Sequence, residues 1–162
     1  MKSVQVVIMM GSDSDLPTMS EAGKILKDFG VSFEIRVLSA HRVPDETAKY
    51  AKELKSRGVK VVIAGAGGSA ALAGFVSSLT PLPVIGIPIE STALNGLDSL
   101  LSTVQMPPGV PVAAMGIGKS GAKNAALLTL RILGLSDKKI QDGLEKYRQN
   151  QAEKILKTEV SI

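Results

Sequence analysis

The chain of 162 residues is long enough for one domain with a substantial core, because 44% of its residues are hydrophobic. It contains no cysteine, which excludes disulfides, cysteine-ligated zinc and thiol catalysis. The net charge of +4 raises the question of nucleic-acid binding, but three Phe, two Tyr and no Trp are too few for base-stacking platforms. No apolar run is long enough to cross a bilayer. We therefore expect a cytoplasmic protein that binds neither nucleic acid nor a membrane.

Strand-like and helix-like segments alternate along the chain. The strand-like runs are rich in Val and Ile and almost continuously apolar, which is typical of strands buried on both faces; they cover residues 4–10, 31–38, 59–64, 83–89 and 110–117. The helix-like segments cover residues 16–29, 44–57, 69–79, 97–103 and 120–133. Such alternation predicts an α/β protein, a three-layer αβα sandwich with a parallel five-stranded sheet.

A last helix is predicted from Ser136, a plausible N-cap residue. A stripe with helical spacing runs along it through Ile140, Leu144, Tyr147, Gln151 and Ile155, and it is apolar except at Gln151. A helix of about 20 residues is roughly 30 Å long, about the diameter of a small domain. We therefore expect a single domain over residues 1–162, with an αβα core at 1–135 and a C-terminal helix at 136–162 that packs on a neighbouring subunit.

Three polar or glycine-rich loops follow the first three predicted strands. If the first strand lies between the second and the third, these loops meet at the carboxyl edge of the sheet, where α/β proteins bind ligands. The first loop, GSDSD at residues 11–15, precedes a helix and therefore suits a phosphate group. Within it, Asp15 either caps the helix or accepts hydrogen bonds from ribose hydroxyls.

The second loop, SAHRVP at residues 39–44, contains the only histidine of the chain. An unperturbed imidazole titrates near neutral pH, so His41 is the one histidine available for acid–base catalysis. Arg42 beside it offers a guanidinium fork for phosphate. The third loop, GAGGS at residues 65–69, leaves backbone amides accessible to a planar ligand. Together the loops predict a small phosphorylated substrate that undergoes proton transfer.

Three other functions compete with this interpretation. The segment GAGGSA at residues 65–70 fits the dinucleotide pattern G-x-G-x-x-A, and Glu90 stands where the ribose-binding acid of a nicotinamide oxidoreductase would be. Against it, the motif follows the third strand and leaves His41 without a role. A non-catalytic nucleotide-binding module of the same fold is a second alternative. A flavodoxin-type protein is disfavoured because none of the three loops carries an aromatic residue to stack on a flavin.

The three loops together resemble the signatures of the N5-carboxyaminoimidazole ribonucleotide mutase family of purine biosynthesis. The resemblance continues through NGLDSL at residues 95–100, QMP at 105–107, GK at 118–119 and NAA at 124–126, and so covers nearly the whole chain. It implies a flavodoxin-like fold, a homo-octamer, and a reaction without cofactor or metal. In that reaction the substrate's carboxylate moves from the exocyclic nitrogen to ring carbon C4, by decarboxylation and recarboxylation.

Roles for individual residues follow from the same resemblance. Ser12, Asp15 and Arg42 would bind the ribose phosphate portion of the substrate, and Ser39 would also contact the substrate. His41 would be the proton shuttle that removes the C4 proton. Gly67 and Gly68 would lie beside the base and the trapped CO2.

The chain departs from the family pattern in its third loop. The family usually continues Ala-Ala-His-Leu-Pro-Gly, whereas residues 69–74 read SAALAG, with Ala71 in place of the second histidine. Related carboxylases, which add CO2 directly to aminoimidazole ribonucleotide, have a similar apolar stretch here. They differ at Arg42 and at the paired glycines, both of which this chain keeps. The sequence therefore predicts a mutase, with a direct carboxylase as the alternative.

Overall fold

A computed structural model of the chain describes residues 4–91 and 93–160. The described residues form two compact units, which divide between residues 127 and 128. The strands are β1 (Val6–Met10), β2 (Phe33–Val37), β3 (Val61–Gly67), β4 (Val84–Ile89) and β5 (Ala113–Ala114). The helices are α1 (Leu16–Asp28), α2 (Pro44–Glu53), α3 (Leu72–Ser77), α4 (Leu97–Val104), α5 (Gly118–Gly134) and α6 (Lys138–Leu156).

The five strands form one parallel sheet in the order β2-β1-β3-β4-β5. The first unit thus has the predicted α/β architecture, and the prediction that the first strand lies between the second and third is confirmed. The chain leaves β1 toward β2 on one side and later returns to β3 on the other. The strand order therefore reverses beside β1, and the loops after β1, β2 and β3 share one edge of the sheet.

Alternate residues of the central strands pack into different layers. Val7 and Met9 belong to a buried cluster with Tyr50 and Leu54, which come from α2 and the turn after it. Side chains of the opposite parity face α1, as shown by the place of Met19 directly over Gly65. Helices thus cover both faces of the sheet, and β1 is wholly buried between them.

Two of the strand predictions were wrong in detail. The predicted strand at residues 110–117 pairs with β4 only at Ala113 and Ala114. Pro111 has no N–H to donate to a ladder, and Val110 donates its N–H to the Pro107 carbonyl in a turn. The run over residues 31–38 was expected to be buried on both faces. Because β2 is an edge strand, Val37 is instead 52% exposed.

The helix boundaries also differ from the predicted ones. The second helix ends at Glu53 instead of residue 57. The third begins at Leu72 instead of residue 69, because the chain first turns at Gly68, whose φ is +58°. In the second unit, the N-cap of α6 is Asp137 and not Ser136. The Asp137 carboxylate accepts hydrogen bonds from the backbone N–H groups of Lys139 at 3.0 Å and Ile140 at 3.2 Å.

Candidate active site

The loop after β1 folds into a 3₁₀ turn over Asp13–Asp15 that leads into α1. Ser12 organises this turn, because its Oγ accepts hydrogen bonds from the Ser14 backbone N–H at 3.3 Å and from Ser14 Oγ at 2.8 Å. Pro17 in the first turn of α1 has no N–H and suits this position. The turn therefore presents two hydroxyls and a helix N-terminus at the carboxyl edge of the sheet.

Asp15 is the buried acid of this turn, with only 7% of its surface exposed. Burial raises the pKa of its carboxyl group above the ordinary value. A hydrogen bond from the Ser12 backbone and the positive charge of Arg42 oppose that rise, and the neighbouring Asp13 adds to it. A carboxylate held in this way is costly to bury, and hydrogen bonds from ligand hydroxyls would offset part of that cost.

The loop after β2 is tied to the loop after β1 through Arg42. Its guanidinium donates to the Gly11 carbonyl at 2.5 Å, and its Nε donates to Ser39 Oγ at 3.3 Å. Thr47 is a buried residue of α2 that sequence reasoning missed, and its hydroxyl reaches the carbonyls of Val43 at 2.8 Å and Ser39 at 3.2 Å. The backbone on either side of His41 is therefore held by two polar anchors, while the imidazole itself is exposed.

The glycine-rich segment is largely a strand and not a loop, which corrects the prediction. β3 runs through Gly67, which pairs in register with Ile89 of β4. The space that a Cβ at Gly67 would occupy is filled by another side chain, because that Cβ would lie 2.1 Å from Ser91 Oγ. Glycine is thus required at position 67 by packing, as well as by any ligand that lies along the strand.

One cavity of about 350 Å³ collects these parts. Of the seven residues proposed from the sequence, six line it, and Gly68 is not among them; the six are Ser12, Asp15, Ser39, His41, Arg42 and Gly67. Two further serines line it: Ser14, which belongs to the predicted phosphate loop but was not among the seven, and Ser91, which sequence reasoning missed. Ser91 could have been found by the rule that identified the other loops, because it follows β4 at the same edge of the sheet.

Comparison with known proteins identifies the family. The sequence profile described as AIR carboxylase matches residues 5–154. The chain belongs to the AIR carboxylase family. It is 58% identical over 146 residues to the N5-carboxyaminoimidazole ribonucleotide mutase of Pyrococcus abyssi, covering 90% of this chain and 83% of the relative. The protein of the same name from Saccharolobus solfataricus is 56% identical over 154 residues, covering 95% and 96%.

A solved structure supports the same assignment. The crystal structure of Treponema denticola PurE has a TM-score of 0.85 with this chain at 35% sequence identity, covering 94% of each chain. The flavodoxin-like fold predicted from the sequence is therefore confirmed, with a five-stranded parallel sheet and helices on both sides.

Family membership gives weight to one position in the cavity. Ala71, the position at which the resemblance described above leads us to expect a second histidine, lines the cavity wall with Ala70 and Leu72. This wall is apolar. Because the chain contains a single histidine, His41 is the one imidazole side chain that it brings to the site. Among residues 4–91 and 93–160, no group of three or more His, Cys, Asp or Glu side chains could hold a metal ion.

A second cavity of about 430 Å³ lies next to the first in the same compact unit of this AIR carboxylase family member. Its lining includes Thr18, Glu90 and Lys119, and it meets the first cavity at Ser91.

Within the part of the chain that the structure describes, no helix has both the length and the apolar character needed to span a membrane.

Proposed function

We propose that this chain is an N5-carboxyaminoimidazole ribonucleotide mutase that forms 4-carboxy-5-aminoimidazole ribonucleotide in purine biosynthesis. The names of relatives that are 56–58% identical over most of their length support this reaction. The observation that carries it is the cavity itself, because the lone His41, Arg42 and the polar turn after β1 line it together.

The substrate's phosphate would bind at the turn after β1. There Ser12, Ser14 and the start of α1 supply hydroxyl and backbone donors, and Arg42 supplies the positive charge. Asp15 would accept hydrogen bonds from the ribose hydroxyls. With these contacts, the substrate's own imidazole ring would extend from the phosphate turn toward β3, where Gly67 lines the cavity. Ser39 would hold Arg42 in place and contact the substrate beside it.

His41 would move the proton that the reaction transfers. When the bond between the exocyclic nitrogen and the carboxylate breaks, CO2 leaves and the nitrogen takes a proton from the imidazolium. When C4 then attacks the trapped CO2, the imidazole removes the C4 proton and the ring regains aromaticity. The proton count balances over the cycle, so one histidine is sufficient and no cofactor is needed.

Replacement of the histidine tests this assignment. General acid–base catalysis contributes about 10²–10⁴-fold, so His41→Asn should lower kcat by at least the smaller factor while the ribonucleotide still binds. Thr47→Val is a matched control for loss of support to the loop that carries His41. It removes a hydroxyl that anchors this loop but does not line the cavity. A His41→Asn enzyme with near-normal turnover would show that another group transfers the proton.

The second candidate is a carboxylase that takes CO2 from solution. It is favoured by the apolar wall at Ala71, where a polar imidazole is expected for a mutase. We expect the mutase reaction to dominate, because CO2 is neutral and the backbone amides near Gly67 can stabilise developing carboxylate charge. Substrate with a labelled carboxylate, turned over in excess unlabelled CO2, decides between them. Retained label supports the mutase, whereas complete washout with faster turnover of aminoimidazole ribonucleotide plus CO2 identifies the carboxylase.

We also propose that the protein works as a cytoplasmic homo-octamer. The end of α6 supports assembly, because Ile155 and Leu156 are 73% and 85% exposed on a single chain. Exposed apolar side chains in a row are usually covered by another protein surface. Sedimentation equilibrium of the full chain should give the mass of eight copies.

A further inference from the structure

Ser91 is the one side chain that reaches the cavity from the β4 side of the sheet without a role in the function proposed above. It stands two residues beyond the end of β4. A Cβ built at Gly67 would lie 2.1 Å from Ser91 Oγ and 2.6 Å from Ser91 Cβ. The hydroxyl of Ser91 therefore lies directly beside the backbone of Gly67, at the junction of the two cavities.

The strand order places Ser91 at the opposite end of the site from the residues proposed to bind the phosphate. Ser12 follows β1 and Arg42 follows β2, whereas Ser91 follows β4. Neighbouring strands are about 4.8 Å apart, so β1 and β4, which are separated by β3, lie roughly 10 Å apart. A phosphorylated ribonucleoside bound with its phosphate at Ser12 would therefore carry its base, and the carboxylate on that base, toward β3 and β4.

Apart from His41, which the function proposed above uses for proton transfer, the side chains near Gly67 cannot bind a carboxylate. The wall near Gly67 is formed by Ala66, Ala70, Ala71 and Leu72, and none of these has a side-chain hydrogen-bond donor. Since Ala71 replaces the histidine expected from the family pattern, this wall of the cavity lacks a side-chain donor. A serine hydroxyl can donate one hydrogen bond to a carboxylate and can rotate to follow it.

We propose that Ser91 binds the migrating carboxylate, donating a hydrogen bond from its hydroxyl to the carboxylate of the bound ribonucleotide. The inference rests on the function proposed above and assigns a carboxylate contact to a residue outside the three motif loops. Ser91 would thereby distinguish the carboxylated ribonucleotides from aminoimidazole ribonucleotide, which lacks the carboxylate. The hydrogen bond would also hold the carboxylated product until it leaves.

A binding experiment with two ligands tests the contact. Both proteins carry His41→Asn so that neither ligand is turned over, and one also carries Ser91→Ala. Calorimetry measures the Kd of the 4-carboxy product and of aminoimidazole ribonucleotide. Loss of one hydrogen bond to a charged group should weaken the 4-carboxy product about ten- to a hundred-fold. Aminoimidazole ribonucleotide should bind within about two-fold of the parent, since it has no carboxylate to lose.

A matched serine variant makes the result specific. Ser14→Ala removes the same hydroxyl at the phosphate end of the same cavity, so it should weaken both ligands equally. Equal weakening by Ser91→Ala would mean that Ser91 only packs against Gly67 and would overturn the contact, as would no weakening of either ligand. If the His41→Asn protein with Ser91 intact bound neither ligand, the proposed function would fail, and the inference with it.

Discussion

Replacement of Gly67 by alanine tests how tightly the site is packed, independently of any activity. The added methyl would lie 2.1 Å and 2.6 Å from two atoms of Ser91 and 3.1 Å from the Ile89 carbonyl oxygen. Real Cβ contacts are not found at the two shorter distances, so either Ser91 or β3 must shift. Overpacking of this kind costs about 1–3 kcal/mol. For a chain of this size, that corresponds to a Tm lower by about 2–12 °C.

Second-site variants identify the atoms responsible. Ser91→Ala removes only the nearer atom and should restore part of the loss in Gly67→Ala. Ser91→Gly removes both and should restore most of it, leaving the 3.1 Å contact with the Ile89 carbonyl. The free energy of unfolding should therefore rise from Gly67→Ala alone, to Gly67→Ala with Ser91→Ala, to Gly67→Ala with Ser91→Gly.

Urea unfolding at one fixed protein concentration measures these free energies, because assembly would otherwise make them depend on concentration. Gly11→Ala is the control. Gly11 lines the same cavity, but a Cβ there meets nothing within 4 Å, so its cost should stay within about 0.5 kcal/mol. The reasoning is refuted if Gly67→Ala is as stable as the parent, or if Ser91→Gly restores nothing.

Three further predictions concern charge and assembly. Arg42→Ala should weaken the phosphorylated ligand about ten- to a hundred-fold, and the dephosphorylated nucleoside much less, by calorimetry; equal loss for both would contradict a phosphate contact. Because burial raises the pKa of Asp15, its contribution to stability is full below the ordinary value of 3.8 and is lost as the pH rises through the raised value. Asp15→Asn should therefore flatten the pH dependence of the unfolding free energy above pH 3.8 while weakening ribonucleotide binding, and an unchanged profile would contradict it. Truncation after Tyr147 should lower the number of subunits measured by sedimentation, or the Tm. Neither would change if the end of α6 takes no part in assembly.

The chemistry of the site could be predicted from the sequence because each of its motifs consists of residues that are neighbours in the chain. A lone histidine beside an arginine, a polar turn before a helix and a glycine-rich segment are each recognisable within a few residues. Their placement at one edge of the sheet followed from one assumption about strand order, which the structure confirms. Composition and alternation were likewise sufficient for the α/β class, since strands covered on both faces must be apolar throughout.

Contacts between distant segments could not be predicted in this way. Ser91 lies 24 positions from Gly67 in sequence, and the contact between its hydroxyl and Gly67 depends on the pairing of β3 with β4. The shortness of β5 and the exposure of β2 depend on position in the sheet, which hydrophobicity alone does not report. The sequence by itself determined the class of fold, the family and most of the residues at the site. Only the tertiary structure decided why position 67 must be glycine and which side chain faces it, because both depend on the space between two neighbouring strands.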